Sequence, residues 1–479
     1  MRTISDTEVR SIIERVRNKV GASGVAGPAP RVAATNTDAM GIHPTVDSAV
    51  LACRSAFETY RACGLDARHR IVDRIRELMR EHTVELSEMA CEETGLGRTE
   101  DKIKKNTLVI EKTPGPEDLE PQTWTGDRGL TLTEPAPFGV IGAITPTTNP
   151  TATIINNTIA GISAGNGLVF NVHPNAKGVS VRTIGLINRA IVEAGGPANL
   201  VTTVPNPTIE SAQALMNHPG VRILLITGGP GVVDEARKSS KRAILAGPGN
   251  PPVVVDETAD IDLAGREIVR GASFDNNLIC TDEKEVFVVA SVADELFDAM
   301  RAHGGYVLAE HELGKIERLI FTSAAHDGTP GKINPKWIGQ NAGAILAEIG
   351  VRNAEHIRLV VADVPVNHSL VWTEQMMPVM PVARVPDVDR AIALAIKAEH
   401  GCCHTASIFS RNVDTITRMA REIDVSIFVA NAATLAGLGD GGEGFTSFSI
   451  ASPTGEGLTR PRSLSRERRL AIAGGLRIV

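Results

Sequence analysis

Val140-Ile141-Gly142-Ala143-Ile144-Thr145-Pro146-Thr147-Thr148-Asn149-Pro150 opens the stretch that decides the fold. Val140 to Thr145 reads as a buried strand, a short apolar run stopped by a proline-rich turn. Thr151 to Ala164 then reads as a helix and Leu168 to Val172 as a strand. The alternation continues with helix Val179 to Ala194, strand Leu200 to Val204, helix Ile209 to Asn217 and strand Ile223 to Thr227. Strands that alternate with helices of this length imply a parallel sheet with crossover helices, an α/β fold.

Working outward, a second alternating region runs from about Pro252 to Ala430, with strand-like Val253 to Val255, Glu285 to Val289 and Ile427 to Ala430. Upstream, Val46 to Cys63 and Ala67 to about Glu93 are helical, the latter with Ile71, Ile75, Leu78, Met79, Leu86 and Met89 on one stripe. No internal repeat is seen, and two α/β domains are the simplest architecture. At the N-terminus, Val9, Ile12, Ile13, Val16 and Val20 recur at helical spacing behind a Ser5/Glu8 capping box. Gly21 to Arg31 reads as a flexible linker. A tethered amphipathic helix must bury its stripe, either on its own domain or on a partner.

The bulk properties exclude several classes. The chain has 479 residues, 42% apolar and 22% charged, as in soluble globular proteins. A formal charge of −7 supplies no basic field for nucleic acid or anionic membrane, and 3% aromatic content argues against base-stacking platforms. Six cysteines without C-x-x-C or zinc-ligand spacing suggest free thiols in a reducing compartment. No apolar run reaches membrane-spanning length and no secretory signal is evident, so a cytoplasmic protein is expected.

Five segments carry candidate chemistry. Cys280 ends Ser273-Phe274-Asp275-Asn276-Asn277-Leu278-Ile279-Cys280, a turn-like cluster that suits a reachable thiol, although a lone cysteine is more often core filler. Asn149 sits between strand and helix, where an amide can face developing negative charge or simply cap the helix. Thr227-Gly228-Gly229-Pro230-Gly231 lies at a strand-to-helix turn that would let a diphosphate approach backbone amides. Gly437-Leu438-Gly439-Asp440-Gly441-Gly442 matches G-x-G-x-x-G but precedes no helix, and is read as a decoy. Cys402 and Cys403, flanked by His400 and His404, are adjacent and so point apart on a strand.

Together these segments resemble the aldehyde dehydrogenase superfamily, and within it the CoA-acylating branch that includes propionaldehyde and acetaldehyde dehydrogenases of bacterial microcompartments. The resemblance spans residues 37 to 479. It is carried by Pro146-Thr147-Thr148-Asn149-Pro150, by Ser273 through Cys280, by Glu399-His400-Gly401 with His404-Thr405, by Ala436 through Gly444, and by Pro453-Thr454-Gly455-Glu456-Gly457. It implies Cys280 as nucleophile, Asn149 as oxyanion donor, Thr227, Gly228 and Gly229 as pyrophosphate cradle, Glu374 on the nicotinamide ribose and Thr145 beside the nicotinamide.

It also implies NAD as cofactor, with NADP left open by Asn171 at a position where the hydrolytic branch has lysine, and coenzyme A as co-substrate. The hydrolytic branch places a glutamate before a Gly-Gly pair. Here Ala243-Ile244-Leu245-Ala246-Gly247-Pro248-Gly249 puts Leu245 there, and a leucine cannot act as a general base. The hydrolytic dehydrogenase is thus the runner-up, and a non-catalytic scaffold on this fold the third reading. His404 is a candidate base for the CoA thiol. The implied architecture is a Rossmann-type cofactor domain (37–126 and 138–245), an α/β catalytic domain (246–451) and a β oligomerisation arm (127–137 and 452–479), assembling as dimer or tetramer. Residues 1–20 would dock on a microcompartment shell protein through the linker 21–36, placing the enzyme inside such a compartment.

Overall fold

The computed structural model describes residues 40–479. The expected helix at 1–20 and linker at 21–36 lie outside the described residues. The unit Asp38–Val479 holds two parallel sheets and an antiparallel arm.

The first sheet is built from the alternation read in the sequence. Its five strands lie in the order Val201–Thr203, Gly167–Asn171, Val140–Ile144, Ile223–Thr227, Arg242–Ala246, all parallel. Val140–Ile144 is central and buried at every position, as an unbroken apolar run requires when both faces of a sheet are covered. Helix Pro150–Ser163 follows with proline at its first position and all its residues buried, including Thr153, Asn156, Asn157 and Thr158. Helices Lys177–Glu193, Ile209–Asn217 and Pro230–Lys238 complete the crossovers. Strand Val201–Thr203 is short, and Thr208 and Ser211 form a reciprocal capping box on the helix after it.

The single helix expected over Ala67 to Glu93 is two, Leu65–Glu81 and Thr83–Thr94, broken at His82. His82 leaves helical geometry (φ −102°, ψ 7°), and the Thr83 hydroxyl donates back to Met79 O at 2.7 Å. The stripe survives the break, since Ile71, Ile75, Leu78, Met79 and Leu86 are all buried. Periodicity reports burial, and both pieces bury the same side.

The second sheet has seven parallel strands in the order Gly305–Val307, Leu359–Asp363, Val379–Val385, Glu285–Val289, Pro252–Val255, Thr405–Phe409, Ile427–Ala430.

The arm is a hairpin, Gln122–Gly126 and Gly129–Pro137, extended by Ser465–Ala473 on the outer side of the second strand. It starts at Gln122, not at the expected Asp127, because Asp127 and Arg128 form its turn. Gly129 turns at φ 123°, and a Cβ there would lie on Ile472 O. The arm's C-terminal part is also shorter than 452–479. Residues Gly457–Leu458 instead pair with Ile450–Ala451, and Pro461 and Leu464 are buried. Trp124 (52% exposed) and Leu470 (53%) leave apolar surface open on the arm.

Candidate active site

Cys280 closes the loop after helix Ile261–Ala272. Three consecutive residues of that loop, Asp275, Asn276 and Asn277, hold left-handed backbone, with φ of 43°, 57° and 64°. Asn and Asp tolerate this region better than other side chains, and each such residue still costs about 1–3 kcal/mol unless its surroundings over-determine it. They do. Asp275 Oδ1 accepts from Arg98 N at 2.8 Å, and Asp275 N donates to Asp101 Oδ2 at 3.1 Å. Asn276 Nδ2 donates to Gly339 O at 2.8 Å. Asn277 Nδ2 spans Ala272 O and Glu283 O, both at 2.9 Å. Lys284 Nζ, fully buried, donates to Asn277 O at 2.9 Å and to Asn277 Oδ1 at 2.5 Å. The loop is therefore a rigid platform rather than a flexible tip.

The platform presents a protonated thiol. Burial pushes the Cys280 thiol up to about 12, the negative charge of Glu374 adds to the effect, and Lys284 opposes it. The sequence expects a reactive loop thiol; Cys280 ends that loop only partly exposed, and its surroundings favour the neutral thiol. Glu374 is itself raised by burial, against the pull of Lys284 and a hydrogen bond from the Gly249 backbone. Asp282 and Glu285 are pushed well above the ordinary carboxylate range by burial.

His404 shares this site. A Cβ on Gly249 would lie 2.9 Å from His404 Cγ and 3.0 Å from Cys280 O, so Gly249 is the spacer between the imidazole and the cysteine backbone. Burial lowers the His404 pKa to about 4, which makes the ring neutral. Nδ1 pairs with Thr405 Oγ1 at 2.8 Å, and Nε2 is buried without a partner among the described residues. The neighbouring turn wraps Glu399, whose carboxylate accepts from His404 N at 2.8 Å, with His400, Gly401 and Cys403 at positive φ. Cys402 and Cys403 belong to this turn as free thiols.

Asn149 occupies the N-cap position of helix Pro150–Ser163, but its side chain makes no cap bond. Its Oδ1 instead accepts from Lys105 Nζ at 2.6 Å, and its Nδ2 donates to Thr148 Oγ1 at 3.2 Å. Lys105 also pairs with Asp275, so one buried lysine ties Asn149 to the loop that carries Cys280.

The remaining candidates lie at the carboxyl ends of the first sheet, where ligands of open parallel sheets collect. Thr145 follows the central strand, and its Oγ1, like that of Thr147, is buried without a partner among the described residues. Such orphaned hydroxyls call for a ligand or water, so this edge fits a bound dinucleotide. Thr227 ends the adjacent strand, but its hydroxyl is spent on Ser449 Oγ at 2.6 Å, leaving only backbone to face a ligand. Gly228 N donates to Ala246 O at 3.1 Å, and Gly229 caps helix Pro230–Lys238 in open space. Asn171 is engaged by Ser211 and Thr208.

Leu245 is 3% exposed and packs in an apolar cluster with Ile144, Ile226 and Val233. The 437–442 glycine run forms a short 3-10 turn and loop rather than a strand-turn-helix, pinned by Lys112 Nζ to Gly439 O at 2.6 Å.

Sequence reasoning missed Lys102, Lys105 and Lys284, and gave no role of their own to Asp275 and Gly249, which stand in segments it singled out. The signal available was the Lys102, Lys105, Asn106, Val109 spacing, a helical stripe that mixes charged with apolar residues. Among the described residues, no helix is long and apolar enough to cross a membrane.

Comparison with known proteins shows which family the chain resembles. The sequence profile described as "Aldehyde dehydrogenase family" matches residues 28–317 and 339–444. An acetylating acetaldehyde dehydrogenase of Salmonella typhimurium is 48% identical over 447 residues, covering 93% of this chain and 95% of that protein. Among solved structures, a Rhodopseudomonas palustris propionaldehyde dehydrogenase with bound CoA and an acylated cysteine is 45% identical with a TM-score of 0.89, covering 92% of this chain and 99% of that one. A propionaldehyde dehydrogenase from the fucose utilisation microcompartment of Clostridium phytofermentans is 43% identical with a TM-score of 0.88, covering 92% and 100%.

Proposed function

The chain belongs to the aldehyde dehydrogenase family, and from that premise we propose that it converts a short-chain aldehyde, propionaldehyde or acetaldehyde, and CoA into acyl-CoA through a thioester on Cys280. The observation that carries the reading is at Leu245, which stands at the hydrolytic glutamate's position and is packed into apolar core, so no carboxylate at that position activates water.

Cys280 sulfur, once deprotonated, bonds to the aldehyde carbon, and the carbonyl oxygen takes up negative charge. The Asn149 Nδ2–H stabilises that oxyanion, a contribution of roughly 3 kcal/mol for one such donor. Thr145, Glu374 and the backbone of Thr227, Gly228 and Gly229 would hold NAD, which would supply the acceptor for hydride. Collapse of the oxyanion leaves an acyl group on Cys280. The CoA thiolate then attacks this thioester, releasing acyl-CoA and returning the cysteine. His404, neutral and with Nε2 unpaired among the described residues, is positioned beside the Cys280 backbone to receive the CoA proton. Thioester exchange conserves acyl activation, so the reaction runs in both directions.

The five-stranded sheet takes the dinucleotide, the seven-stranded sheet carries the cysteine, and the arm joins subunits into a dimer or tetramer through its exposed Trp124 and Leu470. Residues 1–20 dock the enzyme on a microcompartment shell. Steady-state NADH formation with and without CoA tests the reading. Turnover should need CoA, with only a single-turnover burst in its absence; equal rates together with free acid as product would establish the hydrolytic alternative.

A further inference from the structure

Helix Thr99–Lys112 buries two lysines against one carboxylate. Lys102 Nζ lies 3.0 Å from Asp275 Oδ2, and Lys105 Nζ contacts the same oxygen. The nearby Asp101 is already matched by Arg358 at 2.7 Å. Lys102 and Lys105 are 1% and 2% exposed and Asp275 is fully buried, so the group carries an excess positive charge out of water. Burial lowers the Lys105 pKa to about 8, with Asp275 opposing and Lys102 reinforcing the fall. A purely structural pair needs one lysine. An unmatched buried ammonium is a cost that folding alone does not explain.

The second contact of Lys105 gives the reason. An ammonium has donors only, so the Asn149 atom 2.6 Å away must be the carbonyl oxygen. That fixes which way the amide faces without appeal to how an Asn side chain is assigned. It sends Nδ2 to the opposite side, where one N–H goes to Thr148 Oγ1 and the other is unclaimed among the described residues. A positive charge on Oδ1 also draws electron density from the amide and strengthens its N–H donors. The same asparagine has forgone helix capping, the commoner use of its position.

We propose that Lys105 is a positioning residue for acylation, locking and polarising the Asn149 amide so that its free N–H faces the developing oxyanion. This rests on the reading of Asn149 as oxyanion donor.

A double-mutant cycle on the full-length enzyme tests it, using Lys105→Met, Asn149→Ala and the combination, with propionaldehyde, NAD and saturating CoA. Lys105→Met leaves Lys102 and Asp275 as a balanced pair, so melting temperature and secondary structure should stay near wild type. It should lower kcat/KM roughly 10- to 100-fold, the range for losing a charged hydrogen bond, mainly through kcat. Asn149→Ala should lose roughly 100-fold or more. In the combination, Lys105→Met should add less than about threefold, because a residue that acts through another has nothing left to act on. Effects that multiply, or a Lys105→Met enzyme with wild-type kcat/KM beside a crippled Asn149→Ala, would overturn the Lys105 role alone. An Asn149→Ala enzyme with wild-type turnover would remove the donor reading and this proposal with it. If Lys105→Met is insoluble, Lys105→Leu, which likewise can donate no hydrogen bond to Asn149, serves in the same cycle with the same outcomes.

Discussion

Raising the pH on ligand-free enzyme probes the site's electrostatics directly. A thiol pushed up to about 12 by burial and by Glu374 is ionised at pH 7.5 to roughly one part in thirty thousand, against about one in ten for an ordinary cysteine near 8.5. Iodoacetamide reacts with the thiolate, and although a thiolate of higher pKa is intrinsically more nucleophilic, Cys280 should still label at least about tenfold more slowly than a free cysteine at that pH. The sign is that of an acid whose charged form is disfavoured, so labelling should rise about tenfold for each pH unit through pH 9 and show no plateau there. The assay is quenched iodoacetamide labelling with the Cys280 peptide quantified by mass spectrometry, and Cys63 and Cys91, partly exposed and free, serve as internal references. Labelling that plateaus near pH 8.5, or that outpaces Cys63 at pH 7.5, would refute the argument from burial and Glu374. Slow labelling has a functional corollary: a resting nucleophile held protonated is spared from stray electrophiles.

Other substitutions follow from the packing. Leu245→Glu should not create a hydrolytic enzyme; a carboxylate among Ile144, Ile226 and Val233 should destabilise by about 3 kcal/mol or more, and a denaturation midpoint equal to wild type with new CoA-independent turnover would contradict this. Gly249→Ala should cut turnover while leaving the fold intact, because its Cβ would press on His404 Cγ at 2.9 Å and Cys280 O at 3.0 Å; unchanged kcat would mean that spacer is loose. Replacing Trp124 and Leu470 together by serine should shift light-scattering mass toward the monomer without loss of secondary structure, and an unchanged mass would place the subunit contact elsewhere.

The alternation from Val140 to Thr227 was legible because strands buried on both faces must be apolar throughout, and Pro146 and Pro150 mark where one ends and a helix begins. The polar turn before Cys280 was legible too, since Asp275, Asn276 and Asn277 are the side chains that left-handed backbone tolerates. The break at His82 was not, because a helix kinked between two buried faces keeps one apolar stripe. The buried charges were the deepest omission. Lys102, Lys105 and Lys284 read in a sequence as solvated side chains; Asp275, arriving from a distant segment, reveals that the first two are internal, and Lys284 turns inward onto Asn277 of its own loop. Asn149 shows the same limit: its position suggests a helix cap, and the lysine that diverts it comes from 44 residues away in the chain. The arm's start at Gln122 was missed because the strand Gln122–Gly126 is mostly exposed and carries no core pattern.

Mass spectrometry of the intact protein and of its peptides after mixing enzyme with propionaldehyde and NAD in thiol-free buffer tests the central step most directly. A propionyl mass should appear on the peptide containing Cys280, persist for minutes and vanish on addition of CoA with stoichiometric propionyl-CoA. An unmodified Cys280, or an adduct that disappears equally fast in buffer alone, would contradict it.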